Sequence, residues 1–226
     1  MNNCYLDAEA VITFFRMTGR KHIFITGSRG SGKSHLVNNM LKHMSDSFNL
    51  LQSHRTDTPQ VVIKSNLVAD NKEFVIGVPR TSGINPASKG NNMTIIEDGF
   101  INCAIPAIDT HLDTTPERLF VIDELGYLES SCIPFQKAVE KLLDNSHVLA
   151  VIRKQSTEFL NRICNRKDVL VIDIDNTFET LSCIIMASGM SKRFGSNKLL
   201  VPFKGKELYR HGLDCICRAA GELEKD

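Results

Sequence analysis

The sequence predicts an α/β fold, a three-layer sandwich in which helices cover both faces of a mainly parallel central sheet. Two observations carry this. Short, continuously apolar, β-branched runs at residues 22–26, 119–123, 148–152 and 169–174 have the length of strands buried on both faces. Between them lie segments with apolar residues at helical spacing, and strands alternating with amphipathic helices build parallel sheets.

In chain order, residues 5–17 form an amphipathic helix that Gly19 stops. The buried strand 22–26 follows, then a Gly/Ser-rich turn and a helix over 33–44. Residues 45–60 read as polar and turn-like, and three short β-branched stretches at 61–64, 74–78 and 93–96 read as strands. The strand 119–123 ends in acid. Pro134 opens a helix to 143 that sets Phe135, Ala138, Val139, Leu142 and Leu143 on one face. Strands at 148–152 and 169–174 flank a helix near 157–164. From about residue 181 the character changes: a strand at 183–186, a Gly/Ser/Lys-rich turn and a helix near 208–219 form a strand–turn–helix appendage. The domains read as 1–178 and 179–226.

Composition narrows the function. Among 226 residues, 27 Lys+Arg stand against 26 Asp+Glu, so no long-range field gathers polyanions, and no basic stripe with interleaved aromatics is present. Nucleic acid is therefore not an expected partner. No apolar run approaches the roughly 20 residues that span a bilayer, and the start lacks the basic and apolar regions of a secretory signal. Seven scattered cysteines suit a reducing compartment, and the one close pair, Cys215 and Cys217, lacks the further ligands of a zinc site. The chain reads as soluble and cytoplasmic, with no membrane partner.

The chemistry is concentrated in two places. Gly27-Ser28-Arg29-Gly30-Ser31-Gly32-Lys33-Ser34 fits G-x-x-x-x-G-K-[ST], the P-loop (Walker A) pattern, between a buried strand and a helix. Glycines let successive backbone N–H groups curl around a triphosphate, and the following helix adds its positive end. Lys33 would reach the β- and γ-phosphates, the Ser34 hydroxyl would join the shell of Mg²⁺, and His35 flanks the nucleotide site. The second place is Leu119-Phe-Val-Ile-Asp123-Glu124, where Asp123 is delivered to the metal and Glu124, on the other side of the strand, is left to act on a water. Arg29, Arg80 and Arg153 are candidates to neutralise charge on the leaving γ-phosphoryl group. Arg153 is favoured because it follows a strand at the ligand-facing end of such a sheet. Tyr127 flanks the acidic motif.

The run Ile122-Asp-Glu-Leu-Gly-Tyr-Leu-Glu129, with the helix and strand after it, resembles the cancer-related nucleoside-triphosphatase family of P-loop proteins over about residues 20–175. The resemblance implies a P-loop α/β fold and Mg²⁺-dependent hydrolysis of ATP, GTP or other nucleoside triphosphates. It places the phosphate role on Gly27–Ser34, the metal role on Asp123 and the water-activating role on Glu124. It also implies a basic, Gly-rich hairpin, traced here through Gly77-Val-Pro-Arg80.

Farther on, Met186-Ala-Ser188-Gly189-Met-Ser-Lys-Arg193-Phe-Gly-Ser-Asn-Lys198 resembles the opening of molybdenum-cofactor-type nucleotidyltransferases. In that family Gly189, Arg193 and Lys198 would correspond to residues that hold an incoming nucleotide, but too little chain follows for a working transferase. The leading expectation is therefore NTP hydrolysis by Lys33, Glu124 and Arg153. The alternatives are a small-molecule or nucleotide kinase on the same loop, and a nucleotide-dependent accessory with a nucleotidyltransferase or cofactor-assembly partner.

Overall fold

In the computed structural model, described for residues 6–44, 47–68, 72–80, 93–176, 198–212 and 214, the strands form one eight-stranded sheet and one hairpin. The described residues of 6–176 form one compact unit and those of 198–214 another.

In the larger unit, α1 (Ala8–Thr18) is capped by Asp7, whose carboxylate accepts from Ala10 N–H at 3.1 Å, and is stopped by Gly19. Then come β1 (His22–Gly27), α2 (Lys33–Met44), β2 (Phe48–Arg55), β3 (Val61–Ser65), β4 (Phe74–Pro79) and β5 (Met93–Ile95). A short α3 (Glu97–Gly99) runs through the π-helical turn Phe100–Ala104 into α4 (Ile105–Thr114). The chain continues as β6 (Leu119–Leu125), α5 (Ile133–Asn145), β7 (His147–Arg153), α6 (Glu158–Cys164) and β8 (Val169–Asp173).

The sheet order is β5-β4-β3-β2-β6-β7-β1-β8. β2, β6, β7, β1 and β8 run parallel, and β3, β4 and β5 extend the sheet as antiparallel neighbours. Alternate side chains of each central strand enter separate cores. Phe24, Phe120, Ile122, Val148, Ala150 and Ile152 pack with Phe100, Ile108, Phe135, Val139, Phe159 and Ile163 from the helices on one face. Ile23, Ile25, Val121, Leu149 and Val151 pack with Val11 and Ile12 of α1 and Val37 and Met40 of α2 on the other. Burial on both faces is why these strands read as continuous apolar runs.

The sequence reading needs correcting in one stretch. Residues 45–60, expected to be turn-like, contain the eight-residue strand β2, which pairs with β6 in the middle of the sheet. Its second half, Gln52-Ser-His-Arg55, is polar, which erases the apolar signal: Gln52 reaches Asp123, Ser53 the Glu124 backbone, His54 pairs with Glu73, and Arg55 lines the cleft described below. The helical stretch from Glu97 to Thr114 also carries no clear sequence signature, because Gly99 and Pro106 interrupt it. Gly77–Pro79, traced as part of a basic hairpin, belong to β4.

In the smaller unit a 3₁₀ turn (Lys198–Leu200) leads into the hairpin β9 (Pro202–Phe203) and β10 (Lys206–Glu207), whose two turn residues, Lys204 and Gly205, both have positive φ. Residues 208–212 are helical, and Lys206 pairs with Asp214. The expected strand at 183–186 and the positions Ser188, Gly189 and Arg193 lie outside the described residues. No helix among the described residues is long and apolar enough to cross a membrane.

Candidate active site

The C-terminal ends of the parallel strands open on a cleft of about 750 Å³, lined by residues 27–35 with Arg55, Glu124, Arg153, Lys154 and Gln155. Such sheets bind ligands at this end because the crossover loops leave room there. Gly30 and Gly32, with φ of 79° and 92°, let the loop curl between β1 and α2 through backbone angles that other residues reach only at a cost. Lys33 Nζ lies across the loop and donates to the carbonyls of Gly27 at 2.8 Å and Ser28 at 2.7 Å. Burial lowers its pKa, while Asp175 and Asp123 pull it back up. His35 lines the same cleft, with Nε2 3.1 Å from Asn39 Nδ2.

Strand register decides which groups meet. Gly27 is the direct partner of Arg153 on β7, and β7 separates the loop strand from the acidic strand β6. The β6–β7 ladder pairs Asp123 with Val151 and Leu125 with Ile152, so Glu124 is the residue left over between them and its side chain reaches the cleft. There Glu124 Oε1 pairs with Arg153 Nε. Arg153 is depressed by burial and by the neighbouring guanidiniums of Arg55 and Arg29, so three arginines converge on this wall. Gly126 leaves space for the Arg153 stem: a Cβ there would lie 2.8 Å from Arg153 Cδ.

Asp123 lies deeper. Burial raises its pKa, while Gln52, its register partner on β2, and the Lys33 ammonium favour the carboxylate; Gln52 Nε2 is 3.5 Å from Oδ2. Among the described residues no group of three or more His, Cys, Asp or Glu forms a protein-only metal cage. The available donors are the Ser34 hydroxyl and the Asp123 carboxylate. Two hard oxygens that leave the remaining positions to phosphate and water fit Mg²⁺.

Of the residues expected from the sequence, Gly27, Ser28, Arg29, Gly30, Ser31, Gly32, Lys33, Ser34, His35, Glu124 and Arg153 share the cleft lining, and Asp123 is electrostatically coupled to Lys33. Arg80 and Tyr127 are not part of that lining. The Tyr127 hydroxyl is raised by burial and held back by the Arg55 and Arg80 charges.

Sequence reasoning missed four participants. Arg55 was hidden by the misread β2. Lys154 and Gln155 follow Arg153 into the cleft. Asp175 lies just beyond β8, and its carboxylate accepts from Ser28 N–H and Oγ–H, both at 2.7 Å, and from Lys154 Nζ at 3.1 Å. Lys154 also pairs with Asp173 at 2.8 Å. This ties the loop to the strand ends on its far side. The signal for Asp175 was its place at the ligand-facing end of a parallel strand.

Comparison with known proteins agrees with the fold and gives its family. A family model described as NTPase matches residues 22–181. The nucleoside-triphosphatase THEP1 of Thermotoga sp. (strain RQ2) is 26% identical over 155 residues, covering 68% of this chain and 86% of that protein. THEP1 of Thermotoga maritima is 23% identical over 154 residues, with the same coverage of 68% and 86%. Among solved structures, THEP1 from Aquifex aeolicus superposes with a TM-score of 0.54 at 18% identity, over 69% of this chain and 91% of that one. A human cancer-related nucleoside triphosphatase superposes with a TM-score of 0.51 at 20% identity, over 70% and 91%. At those identities the two structures speak for the fold.

Proposed function

The chain belongs to the NTPase family, and on that premise we propose that its cleft hydrolyses nucleoside triphosphates to the diphosphate and phosphate. One observation carries the reading: the amide loop with Lys33 lines the same cleft as Glu124 and Arg153. A triphosphate laid along residues 27–34 would replace the carbonyls as the partner of Lys33 Nζ. Its γ-phosphate would then face Glu124, which accepts a proton from water as the water oxygen bonds to the γ-phosphorus and the bond to the β,γ-bridging oxygen breaks. Arg153, with Arg29 and Arg55 beside it, supplies the positive charge that the transferring group needs. Ser34 and Asp123 would hold Mg²⁺, which neutralises phosphate charge when bound.

Phosphate release with ATP, GTP, CTP and UTP, with and without Mg²⁺, tests the reading. Turnover should need no added acceptor; dependence on one would make the protein a kinase. Lys33→Ala should lose about 10²-fold or more of turnover. Glu124→Gln should bind nucleotide while turnover collapses, and a Glu124→Gln variant that still turns over would remove Glu124 from the mechanism.

Residues 1–178 are read as the catalytic domain. The Gly189, Arg193 and Lys198 pattern supports reading 179–226 as a partial nucleotidyltransferase-like segment with a cofactor-assembly partner, testable by pull-down with and without non-hydrolysable ATP. Cys103, Cys132 and Cys164 are unpaired thiols, which suits the cytoplasm.

A further inference from the structure

Behind the cleft lies a carboxylate that the proposed hydrolysis does not use. Glu129, in the 3₁₀ turn Glu129–Ser131 after β6, is 5% exposed, and among the described residues no cation pairs with it. Its Oε2 accepts from Gly126 N–H at 2.9 Å, and the Ser53 hydroxyl of β2 faces the same carboxylate. Ser53 Oγ is in turn 3.4 Å from both the N–H and the carbonyl oxygen of Glu124.

The geometry points to Glu129 as the positioning residue of the site: a buried carboxylate that holds the Gly126 turn and the Ser53 hydroxyl, and through them the backbone of Glu124. This rests on the reading of Glu124 as the base. Ser53 has one hydrogen and two acceptors for it. When Glu129 is ionised it draws that hydrogen, leaving the Ser53 oxygen to accept Glu124 N–H. When Glu129 is protonated the hydrogen turns to the Glu124 carbonyl. The two states therefore hold the Glu124 peptide differently, and the ionised one fixes its N–H.

Burial raises Glu129 to about 7, against the opposing hydrogen bonds from its own backbone, Gly126 and Ser53. Around it, β2 presents Ser53 and its own turn presents the Tyr127 phenol, which in turn faces Arg55 and Arg80. On the side of α5 and α6 the turn meets neutral groups: Ser130 Oγ lies 2.9 Å from Thr157 Oγ1, and Gln136 Nε2 donates to Ser130 O at 2.7 Å.

The test is steady-state hydrolysis by the full chain as a function of pH. Glu129→Gln keeps an acceptor for Gly126 N–H but cannot ionise. It should lower kcat about 10- to 100-fold with KM little changed, the range seen when a partner behind a reactive group is lost. The wild-type acid limb of kcat, with its midpoint near 7, should disappear in Glu129→Gln. Ser53→Ala should lower kcat in the same direction without touching the carboxylate, and it decides the matter if Glu129→Gln does not fold. If the wild type hydrolyses and Glu124→Gln is inactive, yet Glu129→Gln and Ser53→Ala keep the wild-type kcat and pH profile, the positioning role is overturned and the base survives. If Glu124→Gln turns over normally, the base assignment fails first and the positioning role goes with it.

Discussion

Buried ionisable groups in this protein do different work depending on which pole of the sheet they occupy. At the cleft, burial lowers Lys33 and raises Asp123, and the charge of each opposes the shift of the other. At the opposite end of β1, His22 is fully buried and neither ring nitrogen makes a hydrogen bond, although Asp168 Oδ2 lies 3.4 Å from Nε2. Burial lowers His22 to about 4, outweighing Asp168, whose carboxyl Arg166 holds near 2. An unfolded chain would bind a proton at His22 below the ordinary value of 6.5, whereas the folded one refuses it until about 4. Stability contributed here is therefore present above 6.5 and is lost as pH falls through that window, about 3 kcal/mol in all. Urea unfolding between pH 7 and pH 5 should show wild-type stability falling more steeply than that of His22→Leu. Equal slopes would assign the acid sensitivity elsewhere.

Two glycines in connecting elements show how backbone packing and site geometry can be separated. Gly99 lets α3 press on β4: a Cβ there would meet the Val75 carbonyl oxygen at 2.3 Å and Ile76 Cγ2 at 2.7 Å. Neither the helix nor the strand can yield, so Gly99→Ala should cost about 1–3 kcal/mol and lower Tm by about 4–10 °C. At Gly126 the three atoms nearest an added Cβ all belong to the flexible Arg153 side chain. Gly126→Ala should leave Tm nearly unchanged and lower turnover, because Arg153 must leave Glu124. Thermal melts and phosphate release on the two variants check both halves, and a large Tm loss in Gly126→Ala would show that its turn is structurally rather than catalytically constrained.

For the molecule as a whole, the parallel order β2-β6-β7-β1-β8 places the P-loop strand and the acidic strand on either side of β7, so Arg153 arrives between the loop and Glu124. The family match ends at residue 181, and among the described residues the cleft lining lies within 27–155, with Asp173 and Asp175 behind it. A chain of residues 1–181 should accordingly release phosphate at the full-length rate; a marked loss would give the C-terminal segment a part in catalysis. The α/β class, the P-loop and the acid pair were legible from one chain because they are local. Strand-length apolar runs report burial on both faces, and a glycine-rich turn between strand and helix has one dominant use. β2 was not legible because its second half is polar: Gln52 reaches Asp123, Ser53 the Glu124 backbone, and Arg55 lines the cleft. Nor could any spacing reveal that Glu124 pairs with Arg153, that Asp175 grips Ser28, or that Glu129 is buried beneath the acidic turn. Those contacts join residues from different strands, and only sheet order and register bring them within a hydrogen bond's length.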